Sequence, residues 1–267
     1  MFPLRARSLP PDAQALRDAL EESLSQLVTR PGQEMVAVED RDYPELAAIR
    51  ISLHEAQLGD RPPNRPPPVA GAIEPALQVE HFELTGRPVR IQEAAIELSC
   101  VASDVQIGQA PDRDGNLVLI LRKATNGTLE VAVSVADLQD LVRSGASAAA
   151  RKQGIILENL RLRLEAQTDR SLDLEVRIRV RKLFLSTEVR ITGRVAVDEN
   201  LNAQLSGLQC FAEGTLGTLA CGFLAPHLQR FNNREFSLAA LPLGELQLRD
   251  VRIAVDDRLR VIAQFGS

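Results

Sequence analysis

Leu172-Asp173-Leu174-Glu175-Val176-Arg177-Ile178-Arg179-Val180-Arg181 is the most regular stretch of this 267-residue chain. Every even position is apolar and every odd one charged, the period-two pattern of a strand with one buried and one solvated face. Working outward, Leu160, Leu162 and Leu164 alternate in the same way upstream, and Val189, Ile191, Val195 and Val197 nearly do so downstream. Three long neighbouring strands are therefore expected to meander antiparallel, each longer than the usual run of about five or six residues. Such long and uniform alternation predicts a large curved sheet whose single apolar face needs a cover.

Two helices are available as that cover. Ser134 is placed to cap the first, Asp137 falls in its first turn, Leu138, Leu141, Val142, Gly145 and Ala149 share one face, and Gly154 ends it. The second spans about Thr215 to Phe231, where Leu216, Leu219, Ala220, Phe223, Leu224, Leu228 and Phe231 form an apolar stripe interrupted by Pro226. Upstream, period-two segments at 77–85, 88–100, 103–108, 116–123 and 128–135 read as hairpins. Their turn signals are Asp112-Arg113-Asp114-Gly115-Asn116 and Asn126-Gly127. The chain closes on a further hairpin, Leu246 to Phe265, around Asp256-Asp257. At the other end a helix is predicted from about Pro11 to Thr29, followed by a strand at Ile49, Ile51 and Leu53. Six prolines between Gly59 and Pro75 mark a linker that no sheet accommodates.

Composition narrows the chemistry. Eight Phe, one Tyr and no Trp leave little for base-stacking platforms or for aromatic sugar, haem and flavin sites. Acidic residues (36) outnumber basic ones (31) and the net charge is -5, so the global positive footprint of a nucleic-acid binder is absent. Cys100, Cys210 and Cys221 are odd in number and lack CxxC spacing; they read as buried thiols in a reducing compartment, with Cys210 and Cys221 open to pairing in an oxidising one. Met1-Phe2-Pro3-Leu4-Arg5-Ala6-Arg7 has no apolar signal core, and no segment reaches the roughly 18 apolar residues of a membrane span. A cytoplasmic protein, at most peripheral to a membrane, is the expectation.

No catalytic constellation emerges. His54, His81 and His227 lie far apart without ligand-spaced companions, so no metal site is expected, and neither phosphate-binding nor dinucleotide-binding glycine motifs occur, so no cofactor is expected either. Gly145-Ala146-Ser147-Ala148-Ala149 approaches the nucleophile elbow of hydrolases. That elbow needs a strand-to-helix turn, whereas Ser147 falls near a helix end, where small residues allow close packing. Residues 155–195 carry nine basic and six acidic side chains, and alternation gathers several arginines on one solvent face. Arg177, Arg179 and Arg181 are thus candidates for anionic headgroups, against the plainer reading of charges paired across strands.

The order of elements, with Thr85-Gly86-Arg87-Pro88-Val89 early, Ser134-Val135-Ala136-Asp137-Leu138 opening the first long helix and Leu241-Pro242-Leu243-Gly244 before the last hairpin, resembles bacterial LmeA-like proteins of the TULIP (tubular lipid-binding) superfamily. The resemblance covers about residues 77–267. It implies an α+β fold in which a long, highly curved antiparallel meander sheet wraps around one or two amphipathic helices and encloses a hydrophobic channel without catalytic machinery. On that reading residues 77–267 are a lipid-binding domain. Residues 1–76, outside the resemblance, add a helix, a strand and the Pro-rich loop. The inward-facing candidates are Leu138, Leu141, Val142, Val176, Ile178, Val180, Phe223 and Phe231, and the partner is a lipid or fatty-acid-like chain. The expectation is non-enzymatic lipid binding or transfer with no nucleic acid involved. The alternative is a scaffold with a closed core that recruits a partner through a sheet edge or the Pro-rich loop.

Overall fold

The computed structural model describes residues 2–4, 6–29, 34–58, 69–91, 94–151, 154–182, 185–238 and 246–266, except for the side chains of residues 149, 182, 185, 216, 223 and 227. The elements are, in chain order, β1 (Phe2–Leu4), α1 (Ala13–Leu24), β2 (Val28–Thr29), β3 (Val36–Asp42), β4 (Glu45–Ser52), β5 (Gln57–Leu58), β6 (Glu74–Ile91), β7 (Ala94–Pro111), β8 (Leu117–Lys123), β9 (Asn126–Ser134), α2 (Val135–Arg151), β10 (Ile156–Thr168), β11 (Ser171–Lys182), β12 (Leu185–Val197), β13 (Asn202–Ala212), α3 (Gly214–Phe231), β14 (Arg234–Ser237), β15 (Leu248–Val255) and β16 (Arg258–Phe265). Strand accounts for 62% and helix for 19%, an α+β fold dominated by antiparallel and mixed sheet. The chain divides into two units, Met1–Ala132 with Ala240–Asp250 and Ile262–Ser267, and Val133–Ala239 with Val251–Val261. Residue 76, where a boundary was expected, lies inside β6, and the first unit continues to Ala132.

In the first unit α1 is shorter than the predicted Pro11–Thr29. The Asp12 carboxylate accepts from Ala15 N at 2.8 Å and starts the helix, and the chain leaves it after Leu24 to form β2. Leu16, Leu20 and Leu24 are buried on one face, and α1 packs on β3. That strand ends the sheet order β15-β16-β9-β7-β6-β4-β3, so part of its backbone lacks a strand partner. Glu21 on α1 fills the gap, accepting from Met35 N at 2.9 and 3.0 Å and from Val36 N at 2.8 Å. Beneath the helix Leu46, Ile49, Val79 and Val105 are fully buried in one core.

The sheet departs from the expected hairpins in two ways and from an all-antiparallel arrangement in a third. The segments 77–85, 88–100 and 103–108 are two strands of 18 residues, β6 and β7, paired along almost their whole lengths. Thr85-Gly86-Arg87-Pro88-Val89 is one of two irregularities in the pairing of β6 with β7, the other lying between Pro75 and Leu77. Between Gly86 and Val89 the register shifts, a Cβ on Gly86 would collide with Val89 Cγ2, and Leu53 N donates to Thr85 O at 2.6 Å. Secondly, Asn126-Gly127 is no hairpin turn. Because β6 occupies one edge of β7, both β8 and β9 lie along the other, with Thr125 N donating to Ser103 O between them. Gly127 is required there because the Phe265 ring occupies the place its Cβ would take. Thirdly, β4 pairs with β6 in parallel. A hairpin reverses direction at once, whereas the 21 residues between Ser52 and Glu74 return the chain to the same end of the sheet. The linker expected at 59–75 lies for its residues 59–68 outside the described residues; Val69 bridges to Asp112.

The second unit follows the opening prediction closely. Strands β10 to β14 form an antiparallel sheet in chain order. Ser134 Oγ accepts from Asp137 N at 2.9 Å and donates to its carboxylate, so the cap of α2 is as expected. Gly154, at φ +65°, takes the left-handed conformation after the helix.

Leu16→Ala, which empties a fully buried position, is expected to cost about 3 kcal/mol in urea unfolding. Gly127→Val, driven into the Phe265 ring, is expected to cost about 2 kcal/mol or more. A neutral result for either variant would contradict the packing described.

Candidate functional site

Register carries the alternation of β11 across the whole second sheet. Leu157, Leu160, Leu162 and Leu164 stand opposite Val180, Ile178, Val176 and Leu174, which in turn face Thr187, Val189, Ile191 and Gly193. Beyond them Val189, Ile191 and Val195 face Ala212, Cys210 and Leu205. One face is therefore apolar over four strands. Its charged counterpart holds Arg161, Arg177 and Arg190 in a single cross-strand row ending at Phe211, whose ring lies 4.9 Å from the Arg190 guanidinium.

Like charges directly opposite one another repel, and carboxylates between the rows answer them. Glu175 accepts from Arg177 at 2.6 Å and stands 3.9 Å from Arg190; Arg181 reaches Glu158 at 2.7 Å and Arg179 approaches Glu188 at 3.9 Å. Asp173 is gripped by both ends of the Arg194 fork at 2.6 and 3.1 Å. That hydrogen bonding holds the Asp173 carboxyl below its ordinary value. Each of the three headgroup candidates, Arg177, Arg179 and Arg181, thus has an acidic partner. A cleft of about 440 Å³ opens beside this network, lined by Arg163, Glu165, Asp173, Glu175 and Arg194 among others. Of the apolar face only Leu174 and Gly193 contribute to it.

The apolar face is covered from two sides. α3 packs on β12 and β13. A Cβ on Gly217 would stand 2.7 Å from Ala212 Cβ, so glycine lets the helix backbone approach the sheet. Cys221 of α3 is joined to Cys210 of β13. The pair expected as thiols is therefore a disulfide. Cys210 points from the apolar face opposite Ile191 and meets the helix where it crosses. Neither the spacing of 11 nor the absence of CxxC signalled this contact; the inward parity of Cys210 and the helical phase of Cys221, combined, would have done so. α2 lies along the edge strand β10, where Gln139 Oε1 accepts from Leu162 N at 3.0 Å.

Between these helices the expected channel residues are only partly covered. Val176, Ile178 and Val180 share the face and are half-buried. Leu138, Leu141 and Val142 on α2 are likewise half-buried, and no described side chain of α2 is fully buried. Phe231 is 48% exposed at the end of α3, and the side chain of Phe223 lies outside the described residues. Elsewhere, His54 Nδ1 accepts from Arg87 N at 3.0 Å, a structural role. Ser147 lies within α2 rather than at a strand-to-helix turn. Among the described residues no three His, Cys, Asp or Glu side chains are grouped to hold a metal ion, and no helix is long and apolar enough to cross a membrane.

No protein-family model, curated protein or solved structure matches this chain.

Cys100 is the remaining cysteine, and burial pushes its thiol up to about 11. Unfolding the chain in denaturant without reductant should expose one titratable thiol per molecule, and reduction should raise the count to three. In the folded protein at neutral pH, alkylation of Cys100 should be slow because little thiolate forms. Three thiols without reductant would contradict the Cys210–Cys221 bond.

Proposed function

We propose that the protein is a non-enzymatic lipid-binding module that holds an acyl or other apolar chain against the apolar face of its second sheet. The observation that carries this is the coverage of that face. In the first unit Leu46, Ile49, Val79 and Val105 are buried in one core, whereas Leu162, Leu164, Leu174, Val176, Ile178 and Val180 stand in register on one face and are half-buried, with Leu160 and Val189 buried on either side of Ile178. A sheet face made chiefly of Leu, Val and Ile, whose Thr187 hydroxyl is taken up by the Glu213 carbonyl, suits a flexible aliphatic ligand. The floor is β11, with α2 along β10 to one side and α3 on β12 and β13 to the other.

The LmeA-like, TULIP-type reading belongs to this proposal. It is supported by the four-stranded meander between two helices and by the final strand pair, and the wrapping of sheet around helix is part of what it implies. The disulfide refines the setting. A Cys210–Cys221 bond persists in an oxidising compartment, so we place the working protein there rather than in the cytoplasm, where such a pair is kept reduced.

Native mass spectrometry of gently purified protein should show adducts of lipid mass, and the delipidated protein should take up a fluorescent fatty acid. Ile178→Asp, which puts a charge on the floor, is expected to weaken uptake by about tenfold or more. Arg179→Gln on the opposite face should leave it unchanged. Protein without adducts and without uptake would overturn the reading and leave a scaffold with a closed apolar layer.

A further inference from the structure

α3 differs from the other two helices in being apolar nearly all round. It reads Gly-Thr-Leu-Gly-Thr-Leu-Ala-Cys-Gly-Phe-Leu-Ala-Pro-His-Leu-Gln-Arg-Phe, and from Gly214 to Arg234 there is no Asp or Glu in a chain that has 36 of them. A helix of this kind is normally enclosed on all sides or placed in lipid. Here only the inward side is accounted for, by the close approach at Gly217 and the bond at Cys221.

The outward side follows from helical spacing. Thr215, Thr218, Leu219, Gly222 and Pro226 recur at steps of three and four, all are exposed, and none is charged. Leu219 is 66% exposed, more than any other large apolar side chain among the described residues. The stripe ends in cations. Arg230 is exposed in the last turn, and Arg234 follows on β14 with its guanidinium 4.8 Å from the ring of the 44%-exposed Phe236.

An uncharged stripe, centred on Leu219, that carries no carboxylate, whose Thr218 hydroxyl is taken up by the Gly214 carbonyl and which finishes on guanidiniums matches a surface that is negative outside and hydrocarbon beneath. Water would favour charges on this face, and nothing about a protein partner requires that all acidic residues be absent from it. We propose that the outward face of α3 docks on an anionic lipid bilayer, lying in its plane, with Leu219 and Pro226 toward the acyl boundary and Arg230 and Arg234 among the phosphates. This moves membrane contact away from Arg177, Arg179 and Arg181, which have acidic partners on the opposite face of the sheet. The Cys210–Cys221 bond then has a mechanical use. It keeps a helix that is apolar on both sides attached to its own sheet while its outer side is in lipid. The proposal does not depend on the apolar face of β11 holding a ligand.

The oxidised full chain is mixed with vesicles of phosphatidylcholine alone, or of phosphatidylcholine with phosphatidylglycerol, and floated on a density gradient. The protein is expected to float with the anionic vesicles, less so as salt rises, and not with the neutral ones. Leu219→Asp is expected to lower the floated fraction about tenfold, and Arg230→Glu to remove the preference for anionic lipid. Since the chain has no tryptophan, Leu219→Trp supplies a single reporter whose emission should shift to the blue when anionic vesicles are added. That variant keeps the test decisive if the Asp variant folds poorly. Failure to float, together with an unshifted indole emission from the Leu219→Trp variant, overturns the proposal. So does a concentration-dependent dimer that Leu219→Asp dissolves without any vesicle binding, since that assigns the stripe to a second copy of the chain. Fatty-acid uptake is a separate readout, so loss of one property leaves the other standing.

Discussion

Cross-strand register in the second sheet is the constraint on which the described chemistry rests. β11 is paired on both sides, with β10 and β12, over nearly its full length. A slip of one residue would turn Leu174, Val176 and Ile178 to the charged side and bring Arg177 and Arg179 onto the apolar one. The register is held by both faces at once, through apolar burial on one and cross-strand ion pairs such as Asp173–Arg194 on the other. Each exposed pair adds little by itself, but carboxylates interleaved with the Arg161–Arg177–Arg190 row oppose the repulsion that the row would otherwise generate.

The two units solve the same covering problem differently. In the first, α1 presents a narrow stripe of leucines to the sheet at β3, and Glu21 satisfies the exposed strand edge as the helix lands. Leu16, Leu20 and Leu24 are buried there together with Leu46, Ile49 and Val79. In the second, a sheet of four long strands offers more apolar area than two helices cover. α3 is brought close by Gly217 and tied by a covalent bond, while α2 sits at the edge, where Gln139 replaces a strand neighbour. What is left over is the half-covered floor formed by β11 and the outer side of α3. These two surfaces carry the two functional proposals, and both arise from an excess of apolar surface over the cover available to it.

Legibility followed the range of the interaction. The faces of β11, the cap at Ser134 and the stop at Gly154 depend on residues within a few positions of one another, and periodicity or capping chemistry reveals them. The same local reading divided β6 at 86–87, where the register shifts, and β7 at 101–102, where the strand runs on. A bulge interrupts alternation much as a turn does, and only the partner strand distinguishes the two. Asn126-Gly127 misled for a related reason. The dipeptide is a strong hairpin signal in isolation, but an empty edge of β7 and the ring of Phe265 gave the glycine another task.

By itself, then, the amino-acid order determined which residues belong on which face of β11 and its neighbours and where α2 begins and ends. Tertiary structure decided what lies against those faces: that β8 and β9 share one edge, that β4 runs parallel to β6, that Cys210 meets Cys221, and that Arg177, Arg179 and Arg181 have acidic partners while Leu219 faces outward. The physical reason is that side-chain direction along a strand or helix is a property of the local backbone, with periods of two and 3.6. Cover, pairing and exposure depend instead on segments that are distant in the chain and adjacent only after folding.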